Sequence, residues 1–176
     1  MSERETVEKV KEKQGIFSKI QNFFTLGYGT KEDLRELDRK LRDLYYIELR
    51  DMRHVWEDLY LAAMDAGAAK NRDYKKIIQV LDRVTEKVRH ADYGYAGLWD
   101  RKGHIRENEL ARVFNFDRDL GKDLDTLKDA ITSAETKVEA ENWDELSDNV
   151  KNVKNLLLSF EDKWNEREKE FRPLNM

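Results

Sequence analysis

Asp51 and His54 stand three residues apart and Glu86 and His90 four apart, each pair in a stretch with helical periodicity. Carboxylate and imidazole brought together across two helices hold divalent metals, as in the di-iron carboxylate bundles. Such a site also needs Glu and Glu-x-x-His ligands from two more helices, and residues 105–176 contain no histidine. The four residues are therefore read as boundary polar groups forming ion pairs along helix faces. A metal-binding bundle ranks third among the functional readings, and no cofactor is expected.

A second constellation is basic. Residues 70–90 hold Lys70, Arg72, Lys75, Lys76, Arg83, Lys87 and Arg89 against Asp73, Asp82 and Glu86. They lead into a glycine-rich stretch with Tyr93, Tyr95 and Trp99. Cations neutralise phosphates and aromatic rings stack on splayed bases, so Lys75, Lys76, Arg83, Lys87, Tyr93, Tyr95 and Trp99 form the best nucleic-acid candidate in the chain. The competing reading pairs these cations with acidic neighbours and buries the rings. It is preferred, because the net charge is −4 and a dedicated binder is usually basic overall.

The third constellation is apolar: Ile16, Phe17, Ile20, Phe23 and Phe24 fall on one helical face, with Ser18, Lys19, Gln21 and Asn22 opposite. Gly15 separates them from the charged, helix-permissive residues 2–13, and Gly27 and Gly29 follow as a joint. This arm can dock on its own chain, bind a partner or exchange between copies, or lie against a membrane, in that order. Peripheral membrane contact through 16–24 ranks last, since Lys19 is the only charge in the segment.

Catalysis has no starting point. There is no cysteine, no Gly-x-Gly-x-x-Gly, no Walker-type loop, no Gly-x-Ser-x-Gly and no His-Glu-x-x-His. Dense Lys and Glu with no Cys also resembles the composition of hot-growing organisms.

The elements that position these residues are helical. Charged residues make up 40% and apolar residues 39% of 176, the balance of helices with narrow buried stripes and wide solvated faces. Leu120, Leu124, Leu127, Ile131, Ala134 and Val138 recur at gaps of four and three. Trp143, Leu146, Val150, Val153, Leu157, Phe160 and Trp164 continue the pattern beyond Asn142. The two stripes form a helical hairpin, with Asp117 capping its start and a shorter helix over Glu107–Phe114 before it.

A long helix runs from Thr30 to about Ala66 with two apolar stripes, one through Leu34, Leu41, Met52 and Leu59, the other through Tyr46, Leu49, Trp56 and Tyr60. Gly67 ends it and Asn71 caps the next helix. Ala69, Asn71 and Asp73 match Ala140, Asn142 and Asp144, but the apolar phase that follows differs, so shared turn chemistry is favoured over duplication.

The sequence thus predicts an all-α protein: an antiparallel bundle of four main helices over residues 30–176, a short extra helix, and an amphipathic arm with its glycine joint over 1–29. No stretch reaches the roughly 18 apolar residues that span a bilayer, and a cytoplasmic setting is expected. The functional expectation is a non-catalytic interaction protein, an oligomerising scaffold or adaptor. Its partner or self-association surface is placed on Ile16, Phe17, Ile20, Phe23, Phe24, Trp56 and Tyr60.

Overall fold

Five helices make up the computed structural model, which describes residues 3–26, 31–91 and 107–171. They are α1 (Glu3–Leu26), α2 (Lys31–Asp65), α3 (Asp73–Arg89), α4 (Glu107–Glu139) and α5 (Trp143–Phe171). No strand occurs among the described residues, and no described helix is long and apolar enough to cross a membrane.

The packing follows the stripes. α4 lies along α5 and α2 along α3, while α2 also meets α4 and α3 meets α5. Each of these four helices therefore touches two others of the set, and α1 adds itself against α2 and α4. The centre is filled by one continuous cluster that includes Leu41, Leu49, Trp56, Ile77, Leu81, Leu124, Leu127, Val153, Leu157 and Trp164. α2 needs its broad apolar coverage because three helices contact it.

Two sequence expectations are corrected. α1 does not break at Gly15: a Cβ there would meet nothing within 4 Å, and the helix passes through at the modest cost of one solvent-facing glycine, about 1 kcal/mol relative to alanine. Nor is there a separate short helix before the last hairpin. Phe114, Asp117, Leu120 and Leu124 are all buried and keep one helical phase, so α4 is continuous and Asp117 is an interior residue rather than a cap.

The two short connections use the same C-terminal geometry. At the end of α2, Ala68 N–H donates to Ala63 C=O at 2.8 Å and Gly67 N–H to Met64 C=O at 2.9 Å, with Gly67 at φ +68°. At the end of α4, Asn142 N–H donates to Lys137 C=O at 2.9 Å and Glu141 N–H to Val138 C=O at 3.0 Å, with Glu141 at φ +54°. Both are Schellman closures.

The helices after them start differently. Asn142 is followed at once by α5, and its Oδ1 accepts from Glu145 N–H at 3.4 Å. Asn71 stands one residue earlier: its Oδ1 accepts from Asp73 N–H at 3.0 Å, and Arg72 holds the N-cap position without a side-chain bond. The sequence match between the turns therefore does not align equivalent positions.

Candidate functional site: a charged seam and the groove that holds the first helix

Among the described residues six charged side chains are buried: Lys13, Asp38, Glu48, Asp117, Glu161 and Arg167. Charges enter a core only when paired and hydrogen-bonded, so their partners define where this protein departs from a plain apolar bundle.

Five of the six form one seam. Lys13, 4% exposed on α1, places its Nζ 3.0 Å from Glu48 Oε2 of α2 and 3.0 Å from Asp125 Oδ1 of α4. The same ammonium lies 3.5 Å from the Gly121 carbonyl and 5.6 Å from the centre of the Tyr45 ring. The Tyr45 hydroxyl donates to the Asp117 carbonyl at 2.6 Å. The Asp117 carboxylate takes Arg167 Nε at 2.5 Å and Nη2 at 3.3 Å from α5. Arg167 Nη2 is also 3.5 Å from Asp38 Oδ1, and Arg42 Nε is 3.5 Å from Asp38 Oδ2. Arg42 finally donates to the Ala91 carbonyl just beyond α3. The chain of contacts links α1, α2, α4 and α5 and ends at the residue just beyond α3.

The physical chemistry of the seam is that of fixed charge. Desolvation first, then the nearby Asp117 and Glu48 charges, push the Tyr45 phenol well above its ordinary value, so it stays a neutral donor. Arg167 lies 5.0 Å from the Trp164 ring as well, a desolvated cation–π contact. Where α1 crosses α4, Gly121 allows close approach: a Cβ there would stand 2.9 Å from the Tyr45 hydroxyl and 3.3 Å from the Phe17 ring.

Below Lys13 the groove between α2 and α4 is apolar, and Ile16, Ile20 and Phe23 are buried in it. Phe17 is half-buried and meets Phe114 edge-on with ring centres 6.0 Å apart. Lys9 adds a partly exposed pair to Asp51 at 2.9 Å. Lys9, Lys13, Ile16, Ile20 and Phe23 follow gaps of four and three, so the buried lysine belongs to the same stripe as the apolar residues.

The sequence-predicted partner residues are thus mostly core. Ile16, Ile20 and Phe23 face α2 and α4, and Trp56 is fully buried with its indole N–H donating to the Tyr74 carbonyl at 3.1 Å. Placing Trp56 on an interface is corrected: the half of α2 it occupies is covered by α3. Tyr60 is half-buried and stacks on Tyr74 at 5.8 Å. The side chain of Phe24, with Tyr93, Tyr95 and Trp99, lies outside the described residues.

The basic helix is paired over its second half. Arg83 gives Glu161 a two-pronged contact at 2.6 and 2.7 Å, and Lys87 adds 2.9 Å to Glu161 and 2.8 Å to Asn165. These cations hold the Glu161 carboxyl down at about 2, the Arg83 hydrogen bonds contributing most. Of the four predicted phosphate-binding cations, Lys75 and Lys76 are exposed, whereas Arg83 and Lys87 already serve α5.

The carboxylate–histidine set is not assembled. Asp51 receives Lys9, His54 is exposed, and Glu86 pairs with its own helix neighbours His90 at 3.1 Å and Arg89 at 3.8 Å. Among the described residues no three His, Asp or Glu side chains gather in a metal-binding geometry.

Sequence reasoning missed the seam although a signal existed. Asp38 falls between Leu34 and Leu41, Asp117 between Phe114 and Leu120, and Arg167 three residues past Trp164, each in phase with its stripe. A charge in an apolar register marks a buried pair once its neighbours are known to be helical.

No protein-family model, no curated protein and no solved structure matches the chain.

Proposed function

We propose that the protein is a non-catalytic helical interaction module, and that its binding surface is the α2/α4 groove with α1 as the resident occupant. In this reading α2, α3, α4 and α5 form an antiparallel four-helix frame, and α1 is a helical ligand carried on the same chain. The observation that supports it is the seating of Lys13. A helix held by one desolvated ammonium between Glu48 and Asp125, plus three apolar residues, makes the kind of contact seen when an amphipathic helix occupies a receptor groove. The charges select the occupant and fix its register, and the apolar residues supply affinity.

The test uses the full chain carrying Lys13→Glu, with Lys13→Gln as a milder variant, and a fluorescent peptide of residues 3–26 as probe. In the parent the tethered arm competes at an effective concentration near the millimolar range, so the free peptide binds weakly. The variants release their own arm, seen as faster amide exchange across 3–26, and bind the peptide at least about tenfold more tightly. Arms that are released without peptide capture, or that stay protected in both variants, overturn the proposal.

A further inference from the structure

We propose that the cleft between α2 and the end of α3 binds a small ring-bearing phosphate ester. The cleft lies on the α3 side of α2, apart from the groove where α1 meets Asp51 and Glu48. It stands or falls independently of the helix-binding reading.

The cleft follows from the lengths of the two helices. α2 has 35 residues and α3 has 17, ending at Arg89. Arg53 pairs with Asp82, and Arg42 donates to the Ala91 carbonyl, so the antiparallel helices stay in register until α3 stops near the level of Arg42. α2 extends past that point, back to Lys31. A cavity of about 470 Å³ opens there, within the roughly 300–1,000 Å³ of small-molecule sites. Arg39, Arg42 and Tyr46 line it from one face of α2, and Val88, Arg89 and His90 line it from the end of α3.

This lining is cationic: three guanidinium groups stand against one lining carboxylate, Asp43. Arg42, 11% exposed, is fixed by Asp38 at 3.5 Å and by its bond to the Ala91 carbonyl. The other two are loosely held. Arg39 meets Asp43 at 3.9 Å and Arg89 meets Glu86 at 3.8 Å, and all four of these side chains are more than half exposed. Exposed pairs this long contribute little and give way to a better acceptor. Cations near the end of α3 also suit the negative pole of its dipole. That accounts for Arg89 and His90, but not for Arg39, which belongs to α2.

Phosphate is the acceptor that guanidinium forks match, because one planar fork takes two of its oxygens. A bare phosphate leaves most of the space empty. The remaining wall is the half-buried Tyr46 ring, with Arg89 6.0 Å from its centre, and the aliphatic Val88 and Ala91. A ring and an aliphatic wall beside cations fit an aromatic body esterified to the phosphate.

The test titrates the full chain with phenyl phosphate, inorganic phosphate and phenol, following the amide resonances of residues 88–91. Phenyl phosphate should bind with a dissociation constant of about 1 mM or below, and the other two at least about tenfold more weakly. Arg39→Gln combined with Arg89→Gln should weaken phenyl phosphate by about tenfold or more. Asp43→Asn, which removes the one lining carboxylate, should tighten it. All three positions are exposed, so the fold survives, and unchanged urea midpoints verify this. Equal affinity for inorganic phosphate and phenyl phosphate, undiminished binding in the double arginine variant, looser binding in Asp43→Asn, or resonances of 88–91 that no probe moves would each overturn the proposal.

Discussion

α5 and α1 both lie against α4, and they are held in opposite ways. α5 presents Leu146, Val150, Val153, Leu157, Phe160 and Trp164, all fully buried, along an almost unbroken apolar seam. α1 buries three apolar residues, Ile16, Ile20 and Phe23, and over its first half relies on Lys9 and Lys13 against carboxylates. An apolar seam is non-directional and strong; it holds the fold but tolerates sliding. A charged contact adds little net energy against desolvation but forbids the wrong register, since a slipped lysine leaves buried carboxylates uncompensated. One helix is held by apolar burial throughout, and the other by paired charges as well.

The largest expected effects break the permanent side. Trp164→Ala should cost about 3–5 kcal/mol, the range for a fully buried large aromatic, with further loss from Arg167, which packs on the ring. Arg167→Ala should fall in the same range, because it takes the two-pronged guanidinium from the buried Asp117 and one of two cations from the buried Asp38. Trp143→Ala, at a half-buried position on the same stripe, should cost only about 1 kcal/mol or so. Urea midpoints of the three variants check the ranking, and equal losses at Trp143 and Trp164 would remove the distinction between seam and surface.

Lys13→Met is the matching break on the α1 side. It leaves Glu48 buried without its cation and so loosens α1, while α4 and α5 keep their seam. Hydrogen exchange should show protection lost across residues 3–26 and retained across 143–164. Uniform loss across all helices would mean that α1 is as integral as α5.

Much of this contrast was legible in the chain. The stripes of α4 and α5, the end of α2 at Gly67 and the amphipathic face of α1 follow from spacing alone. What periodicity could not supply was partnership. Lys13, Asp117 and Arg167 look like ordinary charges on charged helices until the fold sets Lys13 beside Asp125 and Asp117 beside Arg167, more than forty residues away in sequence. Gly15 and Asp117 misled for a related reason: a glycine and an aspartate are punctuation in an isolated helix, but tertiary contacts to Ile16 and Arg167 override that preference. Trp56 reads equally as core or as an anchor for a partner, because a broad apolar helix can be covered by its own chain or by another and composition does not distinguish them.

The acid limb of stability tests the pairing between α3 and α5. Glu161 is held at about 2, below the ordinary carboxylate value of 4.5, by Arg83 first and Lys87 second. A depressed folded value means the contribution is fully present above about pH 4.5 and is lost as pH falls toward 2. The full shift corresponds to about 3 kcal/mol, and solvent screening at the half-exposed Arg83 leaves a smaller part of it, about 1–2 kcal/mol. Glu161→Gln should therefore lower the urea midpoint at pH 7 and flatten its decline between pH 5 and pH 2 by that amount. A parallel decline in parent and variant would show that Glu161 is not linked to acid unfolding.

At the crossing of α1 and α4, Gly121→Ala sets two terms against each other. Alanine gains about 1 kcal/mol of helix propensity, while its Cβ at 2.9 Å from the Tyr45 hydroxyl and 3.3 Å from Phe17 forces shifts of the kind that cost about 1–3 kcal/mol. The Tyr45 hydroxyl cannot retreat without lengthening its bond to the Asp117 carbonyl, so the steric cost should win by about 1 kcal/mol and fall chiefly on α1. A stabilised variant with undiminished protection of residues 3–26 would show that the crossing has slack.

The smallest effect should be a gain, and it lies in the permanent hairpin. Gly67 and Glu141 occupy equivalent left-handed positions in the two Schellman closures, at φ +68° and φ +54°. Glycine adopts that conformation freely, whereas a residue with a Cβ pays about 1 kcal/mol. Glu141 is exposed, so its replacement removes no buried contact. Glu141→Gly relieves the backbone strain but also gives the unfolded chain more freedom, leaving a net gain of about 0.5 kcal/mol. The reverse change, Gly67→Ala, imposes that strain on the α2–α3 turn and should lose about 1 kcal/mol. Opposite signs for the two variants in urea denaturation would establish that the turns share one geometry despite their different lengths, and that the α4–α5 hairpin carries a strained closure that the α2–α3 turn avoids with glycine.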